Sequence, residues 1–428
     1  MNAQRKNLTR LFYLFGLLLL AGGLMGMLAG VPVQSNQAVF AARRSPTPTR
    51  TPTPINTPTP TPLPYNSPTP GPTTIVSGSW KIVSSPNVGT GTYGNTLNAV
   101  SVVSANDVWA AGFSPAPSGQ PLYICQSLVE NWNGSQWSVI SSPNPTGMPD
   151  VELNGVAAIS ASDIWAVGHS SDLVHIPYQT LTEHWNGSSW SIISSPSPGT
   201  YNGNDLYAVA AVSTNDVWAV GWYQSGQTGQ IGGALTLHWD GTSWTVVPNP
   251  GTTTLYAIKA VSSNDVWAFG VQVILHWNGS NWSNVSFPLL PGSGNTYYFR
   301  GASGTSANDI WAVGFRQWPY NEGYLNAPIT YHWDGTSWSL VYNAGTPYQY
   351  LWAVSALAPN DVWAVGDNGQ MQHWNGAAWS SVASTYPGAG GRLLGLAATS
   401  SSDLWAVGNY GDPLSGQRLT WIDRYTVP

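Results

Sequence analysis

This sequence is short of charge. Only 7% of its 428 residues are Asp, Glu, Lys or Arg, against about a quarter in an ordinary soluble protein. With 42% apolar residues it is not a disordered acidic or basic chain. Cysteine is nearly absent: Cys125 stands alone, which excludes an internal disulfide framework. Acidic residues are missing before Asp107, although six basic residues precede position 75. From 75 onward, 7 Lys and Arg face 19 Asp and Glu, a net charge of −12. Such a body repels phosphate backbones and anionic lipid surfaces, so nucleic acid is excluded as a partner. The remaining partner class is a glycan or a protein.

What is present is 46 Gly, 33 Pro and 24 Trp. The glycines have no G-x-y period, so the chain is not collagen-like. The composition points to a turn-rich all-β protein built on a repeat.

Residues 1–41 carry Arg5, Lys6 and Arg10, an apolar run from Leu11 to about Val33, and the small-residue ending Val39-Phe40-Ala41. That is the layout of a secretory signal cut after Ala41. The run is also long enough to span a bilayer, so an uncleaved signal-anchor is the alternative. Either reading places the remainder outside the cell, secreted or held at its surface, and leaves only this segment to touch the membrane. Residues 42–74 are rich in Ser, Thr and Pro. Proline at nearly every second position forbids helix and favours polyproline II, giving a linker that reaches roughly 80–90 Å.

Residues 75–428 repeat. Asp-[Val/Ile/Leu]-Trp-Ala occurs seven times, starting at Asp107, Asp163, Asp216, Asp265, Asp309, Asp361 and Asp403. Irregular spacing near fifty residues suits four short strands per unit with variable loops. Before each motif runs a Leu-x-Ala/Gly-Val-like strand. After it comes a strand that ends in His-Trp, then the hairpin Trp-Asn/Asp-Gly-x-x-Trp. That hairpin appears six times, and the seventh unit stops at Trp421-Ile-Asp-Arg-Tyr425. Its missing fourth strand is at the other end of the domain, where the text around Trp80 matches the fourth-strand text around Trp190. The expectation is an all-β, seven-bladed β-propeller with four-stranded blades, its last blade closed by the N-terminal strand around Trp80. Closure removes the exposed sheet edge.

On the Asp-x-Trp and Gly-x-x-Trp motifs, residues 75–428 resemble secreted bacterial propellers of the BNR/Asp-box and kelch-like superfamily. The resemblance implies the fold. It assigns no activity, because that superfamily hosts sialidases, other glycosidases, lectins and assembly factors. Asn or Asp sits directly before the hairpin Gly, one residue closer than in an Asp-box, and kelch diglycines are absent.

Residues that recur in every blade are read as scaffold. These are the Asp-x-Trp and hairpin tryptophans together with Trp80 and Trp421, and the seven Asp as turn residues. His184, His238, His276, His332 and His373 each precede a third-strand Trp. One metal cannot hold them, because equivalent third-strand sites lie on the order of 10 Å apart. They are read as local hydrogen-bond partners or cross-strand neighbours. Glu130 and Glu183, at equivalent third-strand positions, are read as surface repeats.

Positions that differ between repeats mark the working face. The second-to-third-strand connections vary most in length and are rich in aromatics, including Trp222, Tyr223, Trp318 and Tyr320. The second residue of the first strand, expected at the channel mouth, runs Asn98, Asn154, Tyr207, Tyr256, Arg300, Trp352, Leu394. The candidate ligand-binding residues are therefore Tyr207, Tyr256, Arg300, Trp352, Trp222, Tyr223, Trp318 and Tyr320. Rigid aromatics with a polar handle suit stacking on sugars or gripping a protein loop. His169, Asp172 and His175 put three ligand-type side chains within seven residues and are the one local metal candidate; a solvated loop is the competing reading, and no cofactor is expected.

No catalytic residues stand out. A glycosidase needs two carboxylates about 5–10 Å apart across a cleft, and the acids outside the repeats are scattered among blades. A binding module for a glycan or protein is the leading expectation. A glycoside hydrolase or sialidase-like enzyme and a structural cell-surface element are the alternatives.

Overall fold

In the computed structural model, the described residues are 78–427, apart from 90–93, 117–123, 173–177, 202, 227–230, 321–322 and 389. The expected export segment and linker lie outside them. Among the described residues, no helix is long and apolar enough to cross a membrane.

Among the described residues, twenty-eight strands form seven antiparallel sheets of four. The first strands are Thr96–Ser104, Asp150–Ser160, Asn204–Ser213, Leu255–Ser262, Thr296–Ser306, Leu351–Ala358 and Arg392–Ser400. Each touches the first strand of the next blade, and the last touches the first, so they close a ring around an axis. In blade 7 the sheet order is Arg392–Ser400, Asp403–Gly411, Arg418–Thr426 and then Ser79–Ile82. Trp80 pairs with Tyr425, so the closing strand stands where the sequence places it.

The core is a cycle of indoles between blades. Each Asp-x-Trp tryptophan is buried against two aromatics of the next blade, which are hairpin tryptophans at six of the seven interfaces. Trp109 lies 5.1 Å from Trp185 and 5.8 Å from Trp190. The cycle ends with Trp405 on Trp132 at 5.0 Å and on Trp137 at 5.3 Å. Edge-on and tilted contacts of this kind add to the area that the rings bury.

One assignment changes. In blade 7 the third-strand tryptophan's place belongs to Tyr425, which pairs with Leu404 as Trp132 pairs with Val108. Trp421 sits four residues earlier, opposite Gly408, where blade 1 carries Leu128 opposite Gly112. It is core, but it is not one of the repeated interface rings.

The five histidines are polar clamps within their blades. His276 Nε2 donates to Asp265 Oδ1 at 2.9 Å, and its ring stacks on Trp267 at 4.2 Å. His184, His238, His332 and His373 bond Asp163, Asp216, Asp309 and Asp361 at 2.8–2.9 Å. In blade 1 Asn131 Nδ2 donates to Asp107 at 2.8 Å, and in blade 7 Arg424 Nε donates to Asp403 at 2.7 Å. The Asp therefore does more than shape a turn: it begins the second strand and holds the third.

Glu130 and Glu183 are not surface repeats. Both are 0% exposed, in a row that continues as Leu237, Leu275, Tyr331, Gln372 and Asp423, all fully buried. The polar members grip the segment arriving from the preceding blade. Ser142 Oγ donates to Glu183, Tyr331 Oη donates to the Pro288 carbonyl at 2.7 Å, Gln372 accepts from Ala344 N at 3.0 Å, and Thr385 Oγ donates to Asp423. Burial pushes Glu130 up to about 8, and the Ser85 hydroxyl offsets only part of this. Burial pushes Glu183 up to about 7 against the opposing bond from Ser142. Period-two alternation along a strand cannot reveal that both faces of a propeller sheet are covered by neighbouring blades.

Candidate functional site at the channel mouth

The mouth is made by a bulge repeated in each blade. Pairing between first and second strands skips one residue at the same place seven times: Asn98, Asn154, Tyr207, Tyr256, Arg300, Trp352 and Leu394. These are the residues whose identity varies in the sequence. A bulged residue leaves the ladder and its side chain is re-aimed. The bulge needs a glycine opposite. A Cβ on Gly221 would stand 1.8 Å from the Asp205 carbonyl oxygen, and one on Gly314 would stand 1.8 Å from that of Tyr298. The invariant Gly that ends Val-Trp-Ala-Val-Gly therefore gives the first strand room to bulge.

The bulged residues form a contiguous row. Asn98 Nδ2 donates to the Leu153 carbonyl at 2.9 Å, and Asn154 Nδ2 donates to Asp205 at 3.0 Å and to the Leu206 carbonyl at 2.9 Å. Tyr207 and Tyr256 meet with ring centroids 5.1 Å apart. The Arg300 guanidinium lies 3.7 Å from the Tyr256 ring and 5.1 Å from Trp352. Trp352 Nε1 donates to Asp367 at 2.7 Å, and Arg392 Nε lies 3.4 Å from the same carboxylate.

The structure brings Tyr207, Tyr256, Arg300 and Trp352 together and sets Trp222 beside Tyr207, opposite Asp205 in the sheet. Tyr223 is half-buried and packs against the core cluster shared by blades 2 and 3. Trp318 and Tyr320 belong to the tall hairpin of blade 5, where Arg316 lies 4.1 Å from the Trp318 ring and Tyr320 is 47% exposed. They stand apart from the row. The sequence puts Asp205, Asp367 and Arg392 on the variable face without singling them out; the fold brings them beside the bulged row.

Around the mouth, Asp150, Glu152, Asp172 and Asp205 belong to blades 2 and 3, and Arg300, Arg316, Arg392 and Arg418 to blades 5 to 7, where Asp367 lies against Arg392. His169 is buried, with Nδ1 3.1 Å from Asp205 Oδ1. Burial opposes its charge, but Asp205, Glu152 and Asp150 outweigh burial and raise it to about 9. It is therefore an imidazolium at neutral pH. Burial raises Asp367 against the opposing effects of Trp352 and Arg392. Of the local metal candidate, His175 lies outside the described residues, and His169 is engaged with Asp205. Among the described residues, no group of three His, Cys, Asp or Glu is placed to hold a metal.

No family model matches this sequence, and no curated protein does. Solved structures do match in shape. A structure described as YCF48 bound to D1 peptide superposes with a TM-score of 0.52 at 14% identity, covering 82% of this chain and 95% of that one. A Dyadobacter fermentans protein of unknown function gives 0.49 at 10% identity, over 82% and 99% of the two chains. YCF48 from Cyanidioschyzon merolae gives 0.49 at 14%, over 81% and 98%. At these identities the likeness is one of fold: this chain is a seven-bladed β-propeller.

Proposed function

We propose that this protein is exported and that its propeller is a binding module whose channel mouth takes an extended segment of another protein. The observation that carries the reading is the continuous row from Asn98 to Trp352, which sets amides, aromatic rings and the Arg300 guanidinium side by side, with Asp205 at one end and Asp367 at the other. A peptide offers backbone amides, apolar side chains and charges of both signs, which is what such a row complements. A glycan is the weaker fit, because Arg300 already lies over the Tyr256 and Trp352 rings that a sugar would stack on. A same-fold structure with a peptide bound is a precedent for the mode. A hydrolase is less supported. Asp205 is engaged with Asn154 and His169, and Asp367 with Trp352 and Arg392, on separate blades. Export and surface tethering rest on residues 1–74 of the sequence.

The test is a screen of the full chain against arrays of peptides and glycans, repeated with a Tyr256→Ala/Trp352→Ala variant of unchanged melting temperature. Selective peptide binding that the variant loses is the expected result. Glycan binding alone, or peptide binding that the variant retains, would overturn the reading.

A further inference from the structure

Arg300 and Lys259, on first strands beside the channel, are in no ion pair among the described residues, and Arg316 and Arg418 are in none either. Elsewhere in the propeller, Arg424 is paired with Asp403 at 2.7 Å and Arg392 lies 3.4 Å from Asp367. Arg300 has no ion pair among the described residues. Its guanidinium is held by ring faces, and its Nε is buried without a hydrogen-bond partner. Stacking uses the flat face of a guanidinium and leaves its edge donors for a carboxylate.

Lys259 lies three residues beyond Tyr256 on the first strand of blade 4. It pairs with Trp267 in a register row that is Ser or Ala in the other six blades. Where the row carries Ser101 or Ser303, the hydroxyl accepts a backbone N–H from the next blade at 3.0 Å, tying the inner ring together. An ammonium cannot accept, so Lys259 does not serve the scaffold in that way. Burial lowers its pKa, and no neighbouring charge acts against the shift. A partly desolvated cation without a counter-charge is costly, and this one stands in a body of net charge −12 where acids are plentiful.

Arg300 and Lys259 come from adjacent first strands that touch. Tyr256, under the guanidinium, is separated from Lys259 by about 10 Å of strand. We propose that the channel wall between blades 4 and 5 is an anion seat, taking a carboxylate of the bound chain that enters past Arg300 toward Lys259. The proposal deepens the peptide-binding reading and rests on it for the molecule that carries the carboxylate.

Lys81, which is exposed, and Lys259 are the only lysines among the described residues, so each is the other's reference. The full chain is trace-acylated with acetic anhydride, and the two lysines are quantified by mass spectrometry. Three probes are compared at millimolar concentration: N-acetyl-tetra-alanine with a free carboxylate, the same peptide as its amide, and inorganic phosphate. The free acid should protect Lys259 relative to Lys81, and the amide should not. Arg300→Gln should require about tenfold more acid for equal protection. Equal effects of acid and amide, or full protection in Arg300→Gln, would overturn the seat. Protection by phosphate but not by the acid would also overturn it, by assigning the cations to an inorganic oxyanion. The acid–amide contrast needs only the unaltered protein, so the test survives a variant that fails to fold. Protection by the acid after a failed peptide screen keeps the seat and removes its carrier. Peptide binding without protection removes the seat alone.

Discussion

Tyr425 packs on Trp363 with ring centroids 4.8 Å apart, in the place a third-strand tryptophan occupies at the other six blade interfaces. Trp80 completes that contact from the opposite end of the domain, 5.8 Å from Trp363 and 5.6 Å from Tyr425. The last blade therefore joins residues more than three hundred positions apart, Trp80 and Tyr425. Trp80→Ala should cost about 3–5 kcal/mol of unfolding free energy, as expected for deleting a buried indole. Denaturant melts of the variant measure this. A cost near zero would mean that the ring holds without its closing strand.

The glycine opposite each bulge is open to a direct test. Gly221→Ala puts a Cβ 1.8 Å from the Asp205 carbonyl oxygen, which is backbone and cannot swing away. The variant should lose about 1–3 kcal/mol or more. Peptide binding should fall as well, because Tyr207 is the residue that this bulge re-aims. Gly226→Ala is the contrasting variant. No atom lies within 4 Å of a Cβ there, although its positive φ carries a local cost. It should leave the mouth, and hence binding, unchanged.

Stability should fall as pH rises. Glu130 and Glu183 titrate near 8 and 7 in the fold and near 4.5 when unfolded. Between those values the folded state holds more protons than the unfolded one. Each such carboxyl therefore removes about 1.4 kcal/mol per pH unit across its window. His169 acts in the same direction: its contribution is complete below about 6.5 and lost as pH rises through about 9. Melting temperatures across this range should decline. Replacing Glu130 and Glu183 by Leu, the residue of blades 3 and 4, should flatten the slope. An unchanged slope in the double variant would show that these carboxyls are not its source.

The Asp–His clamps should be independent of metal. Chelator treatment should leave the melting temperature unchanged. His276→Ala should cost about 1–3 kcal/mol, through the partner left behind on Asp265 and the ring lost from Trp267. A chelator-induced drop would contradict the clamp role.

The sequence alone determined the number of blades, the strand order and the closure through Trp80. Those depend on local motifs, and a repeat displays each motif seven times. It also located the row from Asn98 to Leu394, because a position that varies inside a constant strand is visible by comparing blades. Only the tertiary structure decided what that row is. The bulge arises where the first strand crowds a glycine of the second, and neither residue signals it alone. Glu130 and Glu183 were misread for the same reason. Their strands alternate like surface strands, yet each face is covered by a neighbour some fifty residues away. Arg300 could be named from its position. That its charge rests on Tyr256 and Trp352, with no ion pair among the described residues, was set by three blades meeting at one axis. The scarcity of charge that marks the composition is thus local in its effect: the proposed anion seat rests on Arg300 and Lys259, two cations of adjacent inner strands that are in no ion pair among the described residues.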